Sequence, residues 1–157
     1  MTENLQNNNS KQPEFEILNQ FIKDLSFEAP NSPKIFFEKI SEKPNMEINL
    51  EVKSTPVNEK LFEVVVHIKV KNSLKDNVLY LVDLSYGAMA VLHVEDEEIR
   101  KSHLLKTIPS YLFPFVRSLI ADLTKDSGFM PFVLQPINFD ALKAENAQQP
   151  QPANENK

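Results

Sequence analysis

The chain predicts an α+β domain: a four-stranded antiparallel sheet with a long helix and a short C-terminal helix on one face. Three observations carry this. Four stretches before residue 95 alternate apolar and polar side chains with the period of half-buried strands. One stretch after residue 110 repeats its apolar residues with helical period. All the strand patterns precede the helical ones, the order of an α+β domain rather than of alternating βαβ units.

The first strand covers Phe15–Phe27, and its alternation falters near Asn19–Ile22, which predicts a break or bulge there. Its end lies in "KDLSFEAPNSP" (23–33), where Asp24, Ser26 and Glu28 share one parity and Lys23, Leu25 and Phe27 the other. Pro30 and Pro33 then remove two donors and stop the ladder. Lys23 has inward parity, a charge placed as edge strands place them against uncontrolled pairing. In the second strand Met46, Ile48, Leu50 and Val52 oppose Glu47, Asn49, Glu51 and Lys53. In the third, Phe62, Val64, Val66, Ile68 and Val70 oppose Glu63, Val65, His67, Lys69 and Lys71. "NSLKDN" (72–77) reads as the hairpin connection to strand four.

Strand four, Val78–Val94, is apolar on one face and partly apolar on the other. Val78, Tyr80, Val82, Leu84, Tyr86, Ala88, Ala90 and Leu92 form the inner one, while Leu79, Leu81, Asp83, Met89 and Val91 lie outside. A half-exposed antiparallel strand alternates more cleanly, so its outer face is expected to be covered at least part of the time.

Asp96 is placed to cap a helix whose first residues are Glu97 and Glu98. Pro109 is expected to interrupt it and Ser110 to restart it. Leu112, Phe115, Val116, Leu119, Ile120 and Leu123 then form one stripe that Gly128 ends, with Pro114 tolerated in the first turn. "FMPFVLQP" (129–136) is an apolar crossover broken by prolines, and Asn138 is placed to cap a last helix from Phe139.

The 157 residues suffice for one domain. Residues 1–13 are rich in Asn and Gln and residues 144–157 contain no large apolar residue; neither can bury enough to offset ordering entropy, and both are expected to be disordered tails around a single domain at 14–143. With no cysteine, disulfides and thiolate metal sites are excluded. No apolar run approaches a membrane span and no signal-peptide pattern opens the chain, so a cytoplasmic protein without membrane insertion is expected. Residues 1–100 hold 17 acidic and 11 basic side chains, and residues 101–157 hold 5 and 6. The acid surplus in the sheet region argues against nucleic acid and towards a basic protein partner.

No catalytic constellation emerges. His67, His93 and His103 lie in different elements without metal-site spacing, and His67 reads as a solvated surface histidine. Gly87 and Gly128 cannot make a phosphate loop, and no nucleophile elbow is present. "EDEE" (95–98) suits a helix start better than a cation site. No catalytic residue, cofactor or metal is expected. What stands out is apolar side chain on irregular backbone: Ile35, Phe36 and Phe37 after the proline loop, and Phe129, Met130, Phe132, Val133 and Leu134 in the crossover. Such a surface is adhesive without being selective, as a site for unfolded polypeptide must be.

Three motifs, "KDLSFEAPNSP" (23–33), "LFPFVR" (112–117) and "PINFDAL" (136–142), resemble in order and spacing those of the SecB family of protein-export chaperones, over about Phe15 to Leu142. The resemblance implies a homotetramer, a dimer of dimers, that holds unfolded precursor polypeptides without ATP and delivers them to the SecA ATPase. It implies docking of SecA's basic, zinc-containing C-terminal tail on the outer sheet face at Asp24, Glu28, Leu81 and Asp83. The zinc would belong to the partner. A client-binding groove is expected at Phe36, Phe37, Tyr111, Phe113, Met130, Phe132 and Phe139, and a tetramer interface at Tyr80, Val82, Leu84 and Tyr86. Two rival readings are a SecB-like chaperone serving a toxin–antitoxin system and a small-molecule-binding or enzymatic α+β domain. Genomic neighbours discriminate the first rival; a discrete polar pocket would favour the second.

Overall fold

A computed structural model describes residues 11–39 and 41–145, the last three by their backbone alone. The tails expected at 1–13 and 144–157 lie almost wholly outside the described residues. The strands are β1 (Phe15–Glu28), β2 (Asn45–Pro56), β3 (Leu61–Leu74) and β4 (Asn77–Leu92). They form one antiparallel sheet in the order β1-β4-β3-β2. A 3-10 turn at Lys34–Phe37 follows β1. Helices α1 (Glu97–Ser102), α2 (Ile108–Asp126) and α3 (Phe139–Glu145) come after the sheet.

The faltering alternation of β1 resolves into two irregularities, between Ile17 and Asn19 and between Ile22 and Asp24. Leu18 and Lys23 are the extra residues. Each resets the parity, so that Phe15, Ile17, Gln20, Ile22, Leu25 and Phe27 all pair with inner-face positions of β4. This corrects the inward placement of Lys23: at the bulge its ammonium reaches the outer face and donates to both Glu63 carboxylate oxygens at 2.8 Å.

The β3–β4 hairpin is tighter than "NSLKDN" implied. Both strands run up to a two-residue turn, Lys75–Asp76, with Lys75 at φ 53°. A register shift pairs Ser73 with Val78 and Asn72 with Tyr80, leaving Leu79 as the extra residue. Leu79 is therefore not an outer-face side chain; it is 3% exposed and joins the core.

Asp96 caps α1 as expected, its Oδ1 accepting from the Ile99 N–H at 3.0 Å. Pro109 does not break the helical run. A π-helical turn at His103–Thr107 joins α1 to α2, and the Ile108 N–H donates to the His103 carbonyl, five residues back. The widened turn accommodates a residue with no N–H to offer, so the proline sits in the first turn of α2. Ser110 Oγ donates to the Thr107 carbonyl at 2.6 Å rather than starting a new helix.

Helix α2 covers the inner sheet face with Ile108, Leu112, Phe113, Val116, Ile120 and Thr124. The buried stripe is turned slightly from the expected one: Phe113 and Thr124 lie inside it, and Phe115 remains 48% exposed. Against it stand Val64, Val66 and Ile68 of β3 and Leu84, Ala88 and Ala90 of β4, all inaccessible. Burying one such aliphatic side chain contributes about 1.5–3 kcal/mol.

At the end of α2 the Gly128 N–H donates to Lys125 and the Phe129 N–H to Thr124, a paired closure that puts Gly128 at φ 89°. The crossover after it makes no strand. It is tied to α2 by two side chains: Thr124 Oγ1 accepts from the Phe132 N–H at 2.9 Å, and Arg117 Nε donates to the Leu134 carbonyl at 2.7 Å. Asn138 Oδ1 then accepts from the Asp140 N–H at 3.0 Å, capping α3 as expected.

Candidate functional site

The outer face of the sheet, away from the helices, is built of three rows that cross all four strands. Following the register, the first is Asp24, Ser85, His67, Glu51. The second is Ser26, Asp83, Lys69, Asn49; the third is Glu28, Leu81, Lys71, Glu47. The structure thus brings together Asp24, Glu28, Leu81 and Asp83, with Glu28 directly opposite Leu81. A shallow depression of about 470 Å³ lies here, edged by Glu28 and Glu47 and lined by Lys69, Lys71, Leu81 and Asp83.

Its electrostatics are patterned rather than uniformly acidic. The cationic column of β3 runs between acids on β4 and β2. Asp83 lies 2.7 Å from His67 Nε2 and 3.5 Å from Lys69 Nζ, and Lys71 lies 3.8 Å from Glu47. Partial burial pushes the Asp83 carboxyl up, but the hydrogen bond and charge of His67, followed by those of Lys69, outweigh it and hold it below the usual carboxylate range. Glu63, an acid of outer parity on β3, is neutralised by Lys23.

Part of the outer face is covered from within the chain. Phe21 lies across Gly87, where a Cβ would sit 2.9 Å from the ring. Gly87 in turn pairs with Val65, which is only 8% exposed despite its outer parity. The glycine is required by the ring that covers it.

A second candidate surface surrounds the crossover. Phe129 is its hub, with ring centroids 5.1 Å from Phe36, 5.0 Å from Tyr80 and 6.3 Å from Phe27. Around it Phe37 and Met130 are 85% and 86% exposed, Phe36 and Val133 about half exposed, and Phe132 half-buried. Phe27 was legible only as a strand residue, because its packing on Phe129 joins positions far apart in sequence.

The remaining groove candidates lie elsewhere. Tyr111 is exposed but packs beside Phe15, at the opposite end of β1 from Phe27. Phe113 and Phe139 are each 5% exposed and meet edge to face at 5.7 Å, so they are core residues. Tyr80, Val82, Leu84 and Tyr86 are likewise 8% exposed or less. The chain's own core uses them up, which leaves almost no surface for a partner. Along β1 and α2 the side chains of Leu18, Ile22, Leu25, Tyr111 and Phe115 are exposed instead, as are Ile48 on β2, Val57 after it and Ile99 on α1. Phe115 stacks on Tyr86 at 6.1 Å, and Tyr86 pairs with Ile22, so β1 and α2 meet along this strip.

Among the described residues no group of three or more His, Asp or Glu is placed to hold a metal ion, and no helix is long and apolar enough to cross a membrane.

The family model described as preprotein translocase subunit SecB matches residues 8–150. A protein-export protein SecB of Rhodospirillum rubrum is 42% identical over 139 residues, covering 87% of this chain and 86% of the relative. One of Nitrosococcus oceani is 40% identical over 143 residues, covering 91% and 87%. Among solved structures, a SecB-like chaperone of Mycobacterium tuberculosis, in complex with a ChAD peptide from an antitoxin, has the same fold at a TM-score of 0.65 and 15% identity, over 79% of this chain and 91% of that one. An antiparallel sheet backed by a long and a short helix, matched along nearly its whole length by these relatives, places the chain in the SecB family of preprotein-export chaperones.

Proposed function

We propose that this chain is a cytoplasmic, ATP-independent holdase that binds precursor polypeptides in an unfolded state and passes them to SecA. The observation that carries the reading is the exposed apolar surface around Phe36, Phe37, Met130 and Val133, held on backbone that belongs to no sheet. An unfolded chain offers scattered apolar side chains and unpaired backbone, and both find partners on such a surface. Each contact buries area at about 25 cal/mol per Å², and ordering the client offsets much of the gain. Weak, distributed capture follows, suited to release. Phe132 belongs to this surface, and Tyr111 extends it only if a client runs the length of the subunit.

The outer face is proposed to dock the basic, zinc-containing tail of SecA. Leu81 supplies an apolar anchor, with Asp24, Glu28 and Asp83 around it. A second copy of the chain is proposed to cover the strip of Ile22, Leu25, Tyr111 and Phe115, as a step towards a dimer of dimers. Exposed apolar side chains continuous across a sheet edge and a helix support this assembly.

The test is suppression of aggregation of a chemically unfolded protein, with and without ATP, together with the mass in solution from light scattering. Equal suppression in both arms and a tetrameric mass are expected. A requirement for ATP, or a stable monomer, overturns the reading.

A further inference from the structure

His67 reads from sequence as an ordinary solvated histidine, yet its Nε2 lies 2.7 Å from Asp83 Oδ1 in the middle of the outer face. We propose that His67 sets how strongly this face docks a basic segment. Neutral, it leaves Asp83 within an acidic surface; protonated, it lays a second cation on that carboxylate and weakens docking. The inference rests on the docking reading above and adds to it a residue that controls strength and makes docking depend on pH.

The geometry supplies the reason. His67 stands directly opposite Ser85 on β4 and Glu51 on β2, with Asp83 on the diagonal and Lys69 beside it on its own strand; Asp24 of β1 lies beyond Ser85. Glu51 is itself 3.8 Å from Lys53, and the Glu63–Lys23 pair flanks the row on the other side. Across the three rows five carboxylates (Asp24, Glu28, Glu47, Glu51 and Asp83) face two lysines, a surplus of three negative charges. One proton on His67 removes a third of that surplus, and it does so beside the one carboxylate that also touches Lys69.

Histidine is the side chain whose charge changes most readily between about pH 5 and 8. The side chain is 24% exposed, open enough to exchange its proton with water while the chain stays folded. Lysine or arginine in its place would hold the weakened state permanently. Glutamine would hold the stronger one.

The experiment titrates the zinc-loaded SecA tail peptide into wild type, His67→Gln and His67→Arg at about pH 8 and about pH 5, the two ends of the histidine range. Each variant is compared with wild type at the same pH, so that titration of the peptide itself cancels. At the higher pH His67→Gln should match wild type, and His67→Arg should dock about threefold more weakly, the size of one exposed charge interaction. At the lower pH His67→Arg should match wild type, and His67→Gln should dock about threefold more tightly. Parallel pH profiles for wild type and His67→Gln, or a profile whose sign is reversed, overturn the inference while leaving docking intact. No binding by wild type at either pH overturns the docking reading and this inference with it.

Discussion

Phe36 rests its ring on Gly128: a Cβ built on the glycine would sit 3.2 Å from the tip of the phenyl group. Gly128 also holds φ 89°, in the region that side-chain-bearing residues avoid. Gly128→Ala is therefore expected to lower stability by about 1–2 kcal/mol through backbone strain, and to push Phe36 off Phe129. Denaturant unfolding measures the first effect. A midpoint equal to or above wild type would show that the turn relaxes without strain.

Thr124 is inaccessible, donates to the Ile120 carbonyl and accepts from the Phe132 N–H. Thr124→Val keeps the shape and removes the acceptor, leaving a partly buried donor unpaired at a cost of about 1–3 kcal/mol. Thr124→Ser keeps the oxygen and should lose less. Hydrogen exchange at Phe132 should quicken in the valine variant. Unchanged exchange would mean that the crossover is held without this bond.

Much of this architecture was legible in the sequence, and what escaped it has physical causes. The strands, the Asp96 and Asn138 caps and the helix stop at Gly128 are local signals that the chain states within a few residues. Parity counting stops working at bulges, where one extra residue reverses every later assignment. That is why Lys23 and Leu79 were placed on the wrong sides. Outer-face positions survived because Asp24, Glu28, Leu81 and Asp83 all lie beyond the last bulge of their strands. Burial within one subunit cannot be separated from burial between subunits by pattern alone. Both demand apolar residues, so Phe113, Phe139 and the inner face of β4 looked available when the chain's own core consumes them. The His67–Asp83 contact was invisible for another reason, since it depends on the register between two strands.

Val82 and Phe115 separate fold from assembly. Val82 is 2% exposed, and Val82→Asp would bury an unpaired charge, which the subunit cannot absorb. Loss of the folded subunit is expected, read by far-UV circular dichroism. Phe115 is 48% exposed, so Phe115→Glu should leave the subunit folded while weakening association along β1 and α2. Sedimentation at micromolar concentration checks this. Association as tight in Phe115→Glu as in wild type would overturn the proposed β1–α2 interface.

The two faces are separable by substitution. Asp24 and Glu28 are exposed carboxylates, and removing such a charge changes stability by less than about 0.5 kcal/mol. Asp83 is held by His67 and Lys69, so Asp83→Asn should cost slightly more folding stability than Asp24→Asn or Glu28→Gln. At a docking site the ranking changes. Leu81 faces Glu28 across the strands, and truncating a central apolar anchor costs about 2 kcal/mol or more of binding. Leu81→Ala should therefore impair tail docking most, with the three carboxylate variants following. All four should bind an unfolded client as wild type does, because the Phe36–Phe129 surface is untouched. Salt adds an independent check: docking on the acidic rows should weaken as charges are screened, while client capture should change little. Parallel titration of each variant with the SecA tail and with an unfolded client decides the matter. Loss of client binding with docking preserved would exchange the roles of the two faces, and unchanged binding of both ligands in every variant would reduce the acidic rows to a solubilising surface.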